Sequence, residues 1–261
     1  MERIRLGGTG LKVSPLAFGT MTLGDPVAED TSLELLDFVV DQGINFIDTA
    51  NGYNAGLSEE IIGRWMKARG NRERIVLATK VRYAVGGDPD TAGSSPKVIL
   101  REVENSLRRL NTDYIDIYYL HQPDDDTPIE TTWRALESLV SSGKVRYIGV
   151  SNFAAWQVVE AVNLARNRGW TPPTVTQALH NAISRAVETE LLPMTRSYDI
   201  GTCMYNPLAG GLLTGKYKAG KEAGSDTRFA ANEMYRKRYW NDPQRTAADR
   251  FSRIAAQRGR T

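Results

Sequence analysis

The chain has one cysteine in 261 residues, Cys203, so no intrachain disulfide can form and the composition suits a reducing compartment. It also lacks a dominant charge. Its 33 basic residues face 31 acidic ones, and a net +2 gives no reason to expect nucleic acid or a membrane as partner. No run approaches the ~18 apolar residues of a spanning helix, and Met1-Glu2-Arg3-Ile4-Arg5 holds no apolar leader region. Self-similarity at repeat length is absent. A cytoplasmic protein is expected, and nothing in the sequence bears on its oligomeric state. What is present, 41% apolar and 25% charged residues, suits one globular domain long enough to bury a full core. Basic residues gather late (Arg228, Arg236, Lys237, Arg238, Arg245, Arg250, Arg253, Arg258, Arg260). They read first as a solvated face and second as an anion or partner site.

Residues 3–13 place Ile4, Leu6, Leu11 and Val13 around Gly7-Gly8-Thr9-Gly10 and predict a small hairpin. The glycines are not a dinucleotide fingerprint, because no third glycine opens a helix. Leu16 to Thr20 reads as a first buried strand. Strands then alternate with helices. Helices are expected at about 29–42, 57–69 and 96–110, from Pro128 to Gly143, from Ser151 or Asn152 to Gly169, and at about 187–198 and 243–258. The signals are Ser95-Pro96 as cap and first-turn proline, a capping box in Thr127-Pro128-Ile129-Glu130, and glycine stops. Pro193 predicts a break in the sixth helix. Strands fall at about 45–50, 74–81, 114–121, 146–150, 174–180 and 201–206, and a polar loop fills about 208–242.

Three of these strands end in chemistry. The second leaves Asp48 and Tyr53 together, the third ends at Lys80, and the fourth at His121. Polar residues also end the strands that follow. Only a closed ring of parallel strands brings so many consecutive strand ends to one centre, whereas an open sheet gathers function at one switch point. The expected fold class is therefore α/β, a (β/α)8 TIM barrel with an N-terminal β-hairpin. Residues 1–261 would form a single barrel domain. It is one unit short, because no eighth strand or helix follows the last helix.

A buried aspartate at a strand mouth is costly unless paired, and Lys80 is the cation available. Tyrosine, with an ordinary pKa of about 10, donates a proton poorly until its anion is stabilised, and a nearby ammonium does that. Histidine can hydrogen-bond a substrate oxygen. Each residue alone has a plainer reading: a turn aspartate, a lysine reaching solvent, a core tyrosine, a structural histidine. Together at consecutive strand ends they suggest protonation of an alkoxide, the step that accompanies hydride delivery to a carbonyl.

The chain resembles the aldo-keto reductases, and in particular their bacterial and channel-β-subunit-like branch. The motifs are IDTANGY (Ile47–Tyr53), SEEIIG (Ser58–Gly63), ATK (Ala78–Lys80), LHQPD (Leu120–Asp124), GKVRYIGVSNF (Gly143–Phe153) and YNPLAGGLLTGKY (Tyr205–Tyr217). The resemblance implies reduction of an aldehyde or ketone by direct hydride transfer from NADPH, without a metal. It makes Tyr53 the general acid, with Lys80 and Asp48 adjusting its acidity and His121 orienting the carbonyl. It assigns Ser151, Asn152 and Gln177 to the nicotinamide carboxamide and Tyr205 to stacking on its ring. Thr20 and Met21 would lie beside the cofactor. Asn206, Pro207, Leu208, Gly210 and Lys216 would fold over the pyrophosphate, with Arg228 a further candidate. A cofactor-binding regulatory subunit with little catalysis is the alternative the same branch implies.

Members of that family continue into an eighth strand and a Gly- and Ser-rich turn that holds the adenosine 2′-phosphate, and neither is present here. Two accounts stand: a piece of a longer protein, or a short form with a weakened hold on the cofactor. Ile254-Ala255-Ala256, an apolar face expecting a further element, favours the first.

Gly210-Gly211-Leu212-Leu213-Thr214-Gly215-Lys216 matches a phosphate-binding P-loop up to its lysine. Tyr217 then stands where the motif needs Ser or Thr for Mg²⁺, so nucleotide hydrolysis is not expected. His180 ends the sixth strand and reads as a structural or rim residue before a substrate contact. Substrate choice would lie in the loops 21–28, 82–94, 122–127 and 208–242. Tyr83, Val85, Phe229, Tyr235 and Trp240 are their apolar candidates, each more simply read as loop packing.

Overall fold

The computed structural model describes residues 1–217, 224 and 227–260. Two short strands, β1 (Ile4–Arg5) and β2 (Lys12–Val13), pair antiparallel as the expected hairpin, with Ile4 opposite Val13. Seven strands follow in one sheet: β3 (Ala17–Gly19), β4 (Phe46–Asp48), β5 (Val76–Val81), β6 (Ile115–Leu120), β7 (Val145–Ser151), β8 (Val175–Leu179) and β9 (Gly201–Tyr205). Their order in the sheet is their order in the chain, and each pair from β3 to β8 is parallel.

Helices α1 (Glu29–Asp41), α2 (Leu57–Arg69), α3 (Pro96–Leu110), α4 (Ile129–Ser141), α5 (Ala155–Arg168) and α6 (Leu191–Tyr198) make the crossovers. Their apolar spacing explains which side is covered. On α2, Ile61, Ile62, Trp65 and Met66 are buried, while α3 buries Val98, Ile99, Val103, Leu107 and Leu110. Ser95 caps α3 by accepting from the Val98 amide, an interaction worth about 1 kcal/mol.

The chain divides into two compact units. The first holds residues 1–177 and 193–203. In it Ala17, Phe46, Val76, Ala78, Ile117, Tyr119, Tyr147, Val175 and Cys203, drawn from all seven strands, pack in one cluster with Leu6, Leu11 and Val13 of the hairpin. A flat sheet cannot bring its first and last strands to one cluster. The architecture is that of a (β/α)8 barrel lacking one strand.

The second unit holds residues 178–192 and 204–261. Here the polar loop expected over 208–242 is replaced, where it is described, by a 3-10 turn (Ala209–Thr214) and two short helices, α7 (Arg228–Ala231) and α8 (Glu233–Tyr239). Residues 218–223, 225 and 226 of that expectation lie outside the described residues. Aromatic packing supplies the reason, with Tyr217 and Tyr239 joining the expected Phe229, Tyr235 and Trp240. Tyr217, Phe229 and Trp240 pack ring against ring, and Tyr235 lies beside Tyr239. The last helix, α9 (Asp242–Gln257), begins at a cap from Asn241 and leaves Phe251 and Ile254 exposed.

Other expectations change locally. Neither Ser151 nor Asn152 caps α5; Ala154 does, and Gln157 accepts from its backbone amide. Thr127 does not cap α4, because its hydroxyl donates to Asp124 instead. Pro193 lies in the first turn of α6, where a missing N–H costs nothing, and so breaks no helix. Strand β3 is only partly buried, with Leu16 mostly exposed beside it.

Candidate active site

Parallel register sets the site. Asp48 is the last residue of β4, opposite Ala78, and Lys80 in β5 lies opposite Tyr119 of β6. The backbone ladder continues past the strand ends: Asn51 donates to the Lys80 carbonyl and His121 to the Val81 carbonyl. Those bonds hold the turn carrying Tyr53, which opens a 3-10 turn (Tyr53–Gly56), against the end of β5.

Lys80 is fully buried and its three N–H bonds each have an oxygen. Nζ lies 2.5 Å from Asp48 Oδ1, 2.7 Å from the Thr49 carbonyl and 3.3 Å from the Tyr53 hydroxyl. Burial works against its charge, but the Asp48 carboxylate and the Tyr53 oxygen outweigh it and raise its pKa. The second oxygen of Asp48 accepts from Gln177 Nε2 at 2.9 Å. The buried carboxylate is therefore satisfied on both oxygens, the condition that makes such a charge tolerable. Neighbouring Cys203 is inert: burial, and then Asp48, push its thiol up to about 12.

His121 stands edge-on to Tyr53 and Tyr83, with ring centroids 5.7 Å and 4.6 Å apart. Burial, then the cations Lys80 and Arg82, hold its pKa well below the usual histidine range, so the ring is neutral. Nδ1 is enclosed without a partner.

Of the other residues expected at the cofactor, several join this network. Asn152, with φ at +60°, donates from Nδ2 to the His121 carbonyl at 2.9 Å and to Ser151 Oγ at 3.1 Å. Thr20 donates its hydroxyl to the Asp48 carbonyl and bonds Ser58. The Met21 carbonyl accepts from Asn54. The Thr49 carbonyl was not legible in the sequence, since a backbone oxygen carries no residue signature.

The second unit holds the remaining candidates. Tyr205 closes β9, and Asn206, with φ at +58°, receives the Tyr235 hydroxyl at 3.1 Å. Pro207 and Leu208 are exposed, and Ala209, Gly210, Gly211 and Gly215 all have positive φ. Lys216 and Arg228 lie over the rings of Tyr217 and Tyr235, and neither pairs with a carboxylate among the described residues. A tight turn beside two cations fits a phosphate-bearing group. His180 is 2.8 Å from Glu188, which also holds Arg185. Among the described residues no group of His, Cys, Asp and Glu could hold a metal, and no helix is long and apolar enough to cross a membrane.

A parallel α/β fold here gathers an Asp, a Lys, a Tyr and a His where its strands end, groups whose chemistry suits moving a proton at a small polar group. Comparison with known proteins narrows it. Residues 15–261 match the family described as the aldo/keto reductase family, and the chain belongs to it. It is an oxidoreductase of a family that uses NAD(P)H and acts on small carbonyl compounds. The chain is 44% identical over 225 residues to an uncharacterized oxidoreductase, YrpG, of Bacillus subtilis, covering 83% of this chain and 69% of that protein. Human aldo-keto reductase family 7 member A3 is 40% identical over 230 residues, 86% of this chain and 68% of that one. A probable voltage-gated potassium channel subunit beta of Arabidopsis thaliana is 40% identical over 233 residues, 88% of this chain and 70% of that protein.

Proposed function

We propose that the chain reduces an aldehyde or ketone to its alcohol with NADPH, and that Tyr53 is the general acid. The observation that carries this reading is Lys80 Nζ within hydrogen-bond reach of both Asp48 and the Tyr53 hydroxyl. When bound, the cofactor supplies a hydride to the carbonyl carbon. Tyr53 gives its phenol proton to the carbonyl oxygen as negative charge develops there. The phenolate left behind faces an ammonium at 3.3 Å. At an effective dielectric of about 20 that attraction is worth about 5 kcal/mol. Asp48 keeps Lys80 charged and aimed. His121, neutral, donates from Nε2 to the same carbonyl oxygen and orients it.

For the cofactor, Ser151, Asn152 and Gln177 hold the carboxamide in the first unit, with Thr20 and Met21 beside it. In the second unit Tyr205 offers an aromatic face, and Asn206, Pro207, Leu208, Gly210, Lys216 and Arg228 hold the phosphates. NADP rather than NAD, and a cytoplasmic setting consistent with the single thiol, belong to the same proposal.

A second reading is a regulatory subunit that binds NADP(H) with little turnover, which the likeness to a probable channel β subunit favours. A panel of aldehydes scored by NADPH absorbance separates the two. Consumption of NADPH supports the reductase, and tight NADPH binding without consumption overturns it.

A further inference from the structure

Behind the Lys80–Tyr53 pair lies a second buried cluster of charges. Glu59 and Glu102 are fully buried, and Arg109 is mostly so. Arg109 Nε lies 2.6 Å from Glu59 Oε2, and its Nη2 lies 4.0 Å from Glu102 and bonds Ser106 Oγ. Glu102 pairs also with Arg101, whose Nε lies 3.5 Å from its Oε1, so two arginines face the two carboxylates. Burial, stronger than the pull of Arg109, raises the Glu59 pKa. An arrangement that expensive needs a use, since an apolar core of equal volume is usually as stable.

Its outward connections run to the two segments of the candidate site. Glu59 Oε1 accepts from the Thr79 hydroxyl at 2.5 Å, and Thr79 directly precedes Lys80. Glu102 Oε2 accepts from Asn51 Nδ2 at 3.2 Å, and Asn51 stands two residues before Tyr53. Asn51 also donates its backbone N–H to the Lys80 carbonyl at 3.1 Å. Ser58, next to Glu59, bonds Thr49 and Thr20. Arg109, with Arg101 also on Glu102, therefore ties the strand carrying the lysine to the turn carrying the phenol. A Cβ on Gly63 would meet the backbone of Leu110 at 2.8 Å, so that glycine is what lets α3 bring Arg109 this close.

We infer that Arg109, through Glu59–Thr79 on one side and Glu102–Asn51 on the other, is a positioning residue that sets the Lys80–Tyr53 distance. The inference rests on the reading of Tyr53 as the general acid. A small displacement of a reacting group costs on the order of 10²-fold in rate, so a link of this kind acts on turnover without touching substrate.

The test uses Thr79→Val, which removes only a hydroxyl, and Arg109→Met. Each is made alone and with Tyr53→Phe, so that the phenolate absorbance lost in the second background reports the ionisation of Tyr53 without turnover. Both variants should move that ionisation to higher pH and lower kcat on the order of 10-fold. NADPH affinity should change by less than about twofold, and Arg109→Lys should recover most of both effects. A lowered melting temperature with unmoved ionisation and kcat overturns the inference and leaves the cluster as scaffolding. Should Arg109→Met fail to fold, Thr79→Val decides the outcome alone. If no aldehyde is reduced by the unmodified chain, the reductase reading falls, while the phenolate titration still decides whether the cluster sets the pair.

Discussion

The Nζ of Lys80 lies 3.3 Å from the hydroxyl of Tyr53, a residue 27 positions earlier in the chain. The contact comes from parallel pairing of β4 with β5 and from the backbone bond between Asn51 and the Lys80 carbonyl. A phenol at that distance from a buried ammonium is the feature on which the proposed chemistry depends.

The first expectation concerns the phenol. Tyr53→Phe keeps the ring and its edge contact with His121 and removes only the oxygen. Turnover should fall at least about 10²-fold, the usual worth of a positioned acid, while NADPH affinity measured by fluorescence stays close to that of the parent. Unchanged turnover would end the mechanism.

Lys80→Met should cost stability as well as activity. It leaves Asp48 buried with Gln177 as its one side-chain partner among the described residues, and breaking a buried pair costs about 3–5 kcal/mol. Urea denaturation should report that loss, and adding Asp48→Asn should recover part of it. Because the Lys80 pKa is raised, the pair's contribution is complete below the ordinary lysine range and is lost only as pH rises through the higher folded value. A parent protein that loses stability near neutrality through this pair would contradict the assignment.

His121 acts in the opposite pH range. Its folded pKa lies well below the ordinary 6.5 because burial, Lys80 and Arg82 disfavour the cation. The unfolded chain therefore binds more protons at this site, and stability falls as pH drops below about 6.5 toward the folded value. His121→Asn should flatten the dependence of melting temperature on pH between about 6.5 and 5. An identical slope in the variant would show that some other group carries it.

Gly149 gives a purely steric expectation. A Cβ there would lie 2.5 Å from the ring of Tyr119, which is fully buried beneath the site. Gly149→Ala should destabilise by about 1–3 kcal/mol, and Tyr119→Leu in the same chain should relieve part of that cost. Chemical denaturation of the single and double variants measures both.

Much of this was legible in the residues. Helix α2 was expected at about 57–69 and runs from Leu57 to Arg69, because its apolar spacing, acidic first turn and closing glycine agree. Asp48, Lys80 and His121 each stand at a strand end, and the period of the strands reveals that without any contact being known. Where local signals competed, the expectation failed. Thr127 found Asp124 rather than a helix amide, and the loop after Tyr205 became helical because Tyr217, Phe229, Trp240, Tyr235 and Tyr239 had rings to bury.

The sequence alone determined the alternation of strands and helices, and with it that Asp48, Lys80 and His121 would face the same end of a parallel sheet, because side-chain period and strand direction are local properties. Only the tertiary structure decided what holds them there. The Thr49 carbonyl on Lys80, Gln177 on Asp48, and Arg109 on Glu59 all join residues far apart in the chain. A buried charge must find its partner wherever packing brings one, and packing belongs to the whole chain, not to any one stretch of it.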